Sequence, residues 1–102
     1  MADEEFRKID YDKPISAETL FQLINSSIQS GKPLWLQGAN LSGAKLNGAD
    51  LRKASLLEAD LRKASLLEAD LRRAILSEAK YSANTKWPVG FGPVAAGAVK
   101  VD

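Results

Sequence analysis

Between Leu34 and Ala83 the apolar positions recur every five residues: LWLQG ANLSG AKLNG ADLRK ASLLE ADLRK ASLLE ADLRR AILSE AKYSA. The run holds ten pentads without an insertion. Nine open with Ala and the first opens with Leu34; the third position is Leu in nine and Tyr81 in the last. Ala, Leu, Arg, Lys and Glu are good helix formers, yet the period excludes a helix. Five residues advance a helix by about 500°, a net rotation of roughly 140°. Leu51, Leu56 and Leu61 would then point in three directions and build no apolar stripe.

An extended chain fits the spacing. The first and third positions of a pentad lie two apart and share one face. The next inward residue follows three positions later, so strict alternation breaks and the chain bends once per pentad. Bends of one hand wind the chain around its Leu side chains. Successive coils then pair in parallel, about 4.7–4.9 Å apart. Small Ala suits an interior that Leu already fills.

ANLSG, ADLRK and ADLRR resemble the A-(D/N)-L-x-x pattern of the pentapeptide-repeat family; ASLLE, AILSE and AKYSA keep its inward positions and depart at the second. The resemblance implies an all-β fold, a right-handed quadrilateral parallel β-helix with four pentads per coil. Ten pentads then make about two and a half coils, with Leu61 enclosed between Leu41 and Tyr81. The segment TKWPVGF, residues 85–91, is similar to a tail that follows the last coil in cyanobacterial members.

Outside the array the pattern changes. Residues 1–13 are charged and lack a period, with Phe6, Ile9 and Tyr11 as their apolar groups. Ser16 is placed to cap a helix that carries Glu18 in its first turn, where negative charge suits the dipole. Leu20, Ile24 and Ile28 recur every four residues, and Gly31 and Pro33 end the run. The spacing predicts one amphipathic helix over 17–29, too short to be stable alone. A β-helix exposes apolar side chains and unpaired backbone at both ends, so this helix is expected to cover the first coil. The tail carries Trp87 and Phe91 among Pro88, Gly90, Gly92 and Pro93, residues that favour turns, and is expected to cover the last coil. The chain thus divides into an arm and capping helix (1–33), the repeat coil (34–83) and a C-terminal capping tail (84–102).

Charge and composition narrow the function. With 14 basic and 13 acidic residues the net charge is +1, unlike the basic balance of a dedicated nucleic-acid binder. There is no Cys and no His, which removes thiolate chemistry and the commonest general base. The first residues lack the apolar core of a secretory signal, and no apolar run approaches the roughly 18 residues of a membrane span. A soluble cytoplasmic location is the expectation.

Candidate sites lie on the outward second, fourth and fifth positions. Stacked by coil, Arg52 with Arg72 and Lys53 with Arg73 form a basic ridge. It reads as a partner-binding patch or, more plainly, as a solvated face. Asp50, Asp60 and Asp70 occupy the D of A-D-L, a position the family uses structurally, so neither catalysis nor metal binding is expected of them. Trp35, Leu57 and Ile75 fall on one face. They read as a contact surface or as the seat of the N-terminal helix, and the helix is favoured because it has an apolar face to place. Trp87 and Phe91 at the incomplete last coil suggest a homodimer through the C-terminal end. ADLRKASLLE occurs twice in identical form, at 49–58 and 59–68, and implies no function by itself.

The residues therefore point to a non-enzymatic binding or scaffold protein without a cofactor, its partner a protein of unstated identity. The second reading is a DNA mimic acting on a topoisomerase, a role of the family's fluoroquinolone-resistance members. Few coils and a charge of +1 disfavour it.

Overall fold

The computed structural model describes residues 13–101. The N-terminal arm with Phe6, Ile9 and Tyr11 lies outside them. One helix, α1 (Ala17–Ser30), is followed by the coil. Two short strands, β1 (Lys80–Tyr81) and β2 (Val99–Lys100), close the chain in parallel register, Lys80 opposite Val99.

The coil is a ladder of single parallel bridges between second positions. Trp35 pairs with Ser55 and Ser55 with Ile75; Asn40 pairs with Asp60 and Asp60 with Lys80; Lys45 pairs with Ser65; Asp50 pairs with Asp70. Each step spans twenty residues, so each coil has four pentad sides. Long strands do not develop because every side is interrupted by a turn. The N–H of each first position donates to the carbonyl of the third position before it, as Ala59 does to Leu56 at 3.0 Å. The fifth position between them takes a positive φ, between 60° and 72°. A left-handed residue at that place marks a type II turn. Gly38, Gly43 and Gly48 fill it in the first coil, but Lys53, Glu58, Lys63, Glu68, Arg73 and Glu78 fill it afterwards. Left-handed backbone costs a non-glycine residue about 1 kcal/mol or more. At four of the six the corner N–H bonds to the chain above: Lys53 to Arg72 O at 2.9 Å, Glu58 to Ser77 O, Lys63 to Ser82 Oγ and Glu78 to Gly97 O.

The inward phase agrees with the sequence. Leu36, Leu41, Leu51, Leu56, Leu61 and Leu66 are fully buried, and Tyr81 closes the column above Leu61. Ala39, Ala54, Ala59, Ala64 and Ala79 fill the gaps between them.

At the first coil Ser16 caps α1, its Oγ accepting from Thr19 N–H at 3.1 Å. Gly31 ends the helix with φ 71° and donates to Ser27 O. Leu20 and Leu23 enter the core, with Ile15 and Ile24 packed beside them. This departs from the expected Leu20, Ile24, Ile28 stripe, since Ile28 is exposed. The helix meets a coil end rather than a concave surface, so it makes contact along a narrow line. A groove is left between α1 and the first coil, lined by Phe21, Ile24, Ile28 and Ala44. Just before α1, Ile15 N–H donates to Asn40 O at 2.9 Å. Leu41 makes the same bond one coil higher, to Asp60 O. Ile15 therefore begins a partial coil beneath the first.

At the other end the coil outruns the expected two and a half turns. Ser65 bridges Lys86, and β2 lies over β1. One extra residue enters near Ala83 and Asn84, after which Thr85 and Trp87 take the inward first and third positions. Hydroxyls repair the ladder at this break. Lys63 N–H donates to Ser82 Oγ at 3.0 Å, and Thr85 Oγ1 donates to Leu61 O at 2.8 Å. The tail then crosses the coil end, Glu78 N–H donating to Gly97 O.

Candidate functional sites

Four sides and four corners carry everything the coil presents to a partner. Their chemistry differs because each is a column of residues twenty apart. The side holding Asp50 and Asp70 is a set of closed ion pairs. Arg52 clasps Asp50 through Nε at 2.8 Å and Nη2 at 2.7 Å, and Arg72 clasps Asp70 through Nε at 2.9 Å and Nη2 at 2.7 Å. Asp60 makes the same pair with Arg62 on another side, where its column partners are Asn40 and Lys80. Each Asp also accepts the backbone N–H two residues on, as at Arg62 N, 3.1 Å. Asn40 does likewise with Ser42. This is the local bond that suits Asp and Asn to turns, and it explains the second-position preference without invoking chemistry.

The Arg62 guanidinium holds the Asp60 carboxyl below the usual range, and Arg52 does the same for Asp50. Bonding to Arg72 lowers Asp70 from 3.8 to about 2. A carboxylate so stabilised is a poor proton donor or acceptor near neutrality. Among the described residues no group of three or more acidic, His or Cys side chains could hold a metal ion.

The expected ridge of Arg52, Lys53, Arg72 and Arg73 is present as two columns. Their members differ in state: Arg52 and Arg72 spend their charge on Asp50 and Asp70, whereas Lys53 and Arg73 form no ion pair among the described residues.

The tail aromatics are placed within one chain. Trp87 stacks on Phe91 with ring centroids 5.2 Å apart and meets Tyr81 edge-on at 5.6 Å. Both Trp87 and Phe91 are half-buried against the core, and Leu76 and Ala79 beneath the tail are buried. The tail thus packs over the last coil. The Trp87 indole N–H finds no acceptor among the described residues.

Trp35, Leu57 and Ile75 are brought together, but α1 does not cover them. The helix lies on the coil end, because that is where open backbone and the undersides of the Leu column need cover. Trp35 and Ile75 stay 49% exposed and Leu57 36%. Ser55, bridged on either side by Trp35 and Ile75, is buried between them. With Gln37 and Ser77 at the remaining outward positions, this side carries no charge at its second and fourth positions. It is the one such side; the others hold Asp60, Arg62 and Lys80, or Lys45 and Lys86, or Asp50, Arg52, Asp70 and Arg72.

A solenoid of parallel coils around a Leu column, capped by a helix and a tail, is the class this geometry defines: a β-helical repeat protein. Residues 39–78 match the family described as pentapeptide repeats, in eight copies. Among solved structures the chain is similar to a pentapeptide repeat protein from Nostoc Pcc 7120, with 24% identity and a TM-score of 0.33. The match covers 78% of this chain and 94% of that one. No curated protein matches the sequence. No helix among the described residues is long and apolar enough to cross a membrane.

Proposed function

We propose that the chain is a non-enzymatic protein-binding module and that it docks its partner on the side formed by Trp35, Ser55, Leu57 and Ile75. The observation that carries this reading is an uncharged column with three large apolar side chains, held rigid by a bridged ladder and left uncovered. Clustered exposed apolar groups rimmed by polar residues mark interaction surfaces, and Trp is among the residues that dominate binding energy. The basic ridge ranks second, since two of its four cations are already paired. The DNA-mimic reading needs an unbroken run of negative charge. Here Asp50, Asp60 and Asp70 are each neutralised by an Arg.

Partner capture by the folded chain tests the docking side. Trp35→Glu with Ile75→Glu should abolish capture, whereas Lys45→Glu on another side should leave it intact. Equal loss in both, or retention in both, would overturn the assignment.

A further inference from the structure

The corners that flank the apolar side carry opposite charges. Lys53 and Arg73 precede it; Glu58 and Glu78 follow it. The bridges from Trp35 to Ser55 and from Ser55 to Ile75 fix the columns, so one edge of the side is basic and the other acidic. All four residues are exposed, and all four sit at corners with φ between 60° and 63°. None of them forms an ion pair among the described residues. The face therefore has an apolar centre, a positive edge and a negative edge.

We propose that this face receives a second copy of the chain, related by a two-fold axis parallel to the coil axis. The proposal rests on the reading of this side as a docking surface and names the occupant. A two-fold interface sets a surface against itself, so it must be self-complementary. Rotation about an axis parallel to the coil brings the basic edge of one copy opposite the acidic edge of the other. Lys53 then faces the second copy's Glu58, and Arg73 faces its Glu78, each pair occurring twice. Trp35, Leu57 and Ile75 of the two copies meet between them. The other face-to-face arrangement, with the axis across the coil, would set Lys53 and Arg73 against their own kind, and like-charge juxtaposition is strongly unfavourable. Charge pattern thus selects the orientation, and apolar contact supplies the attraction.

The size of the face sets the strength. It spans three coils, or two spacings of about 4.8 Å, by one side of the coil. That is well short of the ~800 Å² per partner of a standard stable interface. The dimer is accordingly weak and concentration-dependent, and its ion pairs make it salt-sensitive.

Sedimentation equilibrium on the full chain, from micromolar to millimolar concentration at low salt, tests this. The expected result is a monomer–dimer equilibrium that Leu57→Glu shifts wholly to monomer, with the circular dichroism spectrum unchanged. A K53E/R73E variant bears two acidic edges and an E58K/E78K variant two basic ones. Each alone should stay monomeric, and their mixture should form a heterodimer. The fourfold variant K53E/R73E/E58K/E78K should dimerise again, its polarity reversed. A wild-type chain that stays monomeric at millimolar concentration would overturn the proposal, as would a dimer indifferent to these substitutions. If capture of another protein still depends on Trp35 and Ile75 in a monomeric chain, the docking side stands and the second copy is excluded.

Discussion

Ser65 and Lys86 bridge one another across a coil although they stand one residue further apart than the twenty that separate the bridged second positions from Trp35 to Lys80. The inserted residue shifts the phase so that Trp87, not its neighbour, continues the central column. The column therefore ends in an aromatic lid of Tyr81, Trp87 and Phe91 rather than at the last recognisable pentad.

The two tryptophans should consequently behave differently. Trp87→Ala removes part of the end of the core and should lower stability by about 3 kcal/mol in urea unfolding, as large core truncations do. Trp35→Ala, on the open side, should cost within about 1 kcal/mol. Equal losses would mean that Trp87 does not belong to the column.

The inward phase can be tested at one pair of neighbours. Leu61 is fully buried, and Leu61→Ala should cost about 2–5 kcal/mol. Arg62 points out and, among the described residues, forms its ion pair with Asp60, so Arg62→Ala should cost no more than about 1 kcal/mol, the range of surface ion pairs. Denaturation midpoints of the two variants decide it.

Stability should depend on pH in one direction. Asp50, Asp60 and Asp70 all have their pKa lowered by folding, Asp70 to about 2. A carboxylate with a depressed folded-state pKa stabilises the fold above its unfolded value, and that stability is lost as pH falls through the folded value. The melting temperature should therefore be flat with respect to these groups above about pH 4–5 and should fall between there and pH 2. Asp70→Asn should flatten part of that fall while keeping the turn acceptor that Asn40 supplies elsewhere. A melting temperature that rises on acidification over this range would refute the assignment.

At the corners, Gly43 has φ 72°, and a Cβ built there meets nothing within 4 Å. Gly43→Ala should cost about 1 kcal/mol through backbone conformation alone. A loss as large as that of Leu61→Ala would reveal an unrecognised steric contact.

Much of this was legible in the residues because a coil repeats one environment. A five-residue period cannot form a helical stripe, so the bend, the inward Leu and Ala, and the columns of outward side chains all follow from Leu34 to Ala83. Ser16 and Gly31 mark the helix ends through local bonds, which sequence also displays. Tertiary contact decided the rest. Only the coil end determines that α1 rests on Leu20 and Leu23 and leaves Ile28, Trp35 and Ile75 open. The Ser82 and Thr85 hydroxyls, bonded to the coil below, join the Lys86 backbone bonds to Ala64 and Leu66 in carrying the ladder past the phase break to Trp87. Whether a charge is free or spent depends on reach, too. Arg52 and Arg72 fold back on the Asp two residues before them, while Lys53 and Arg73, turned outward by left-handed corners, keep their charge for the edge of the open face.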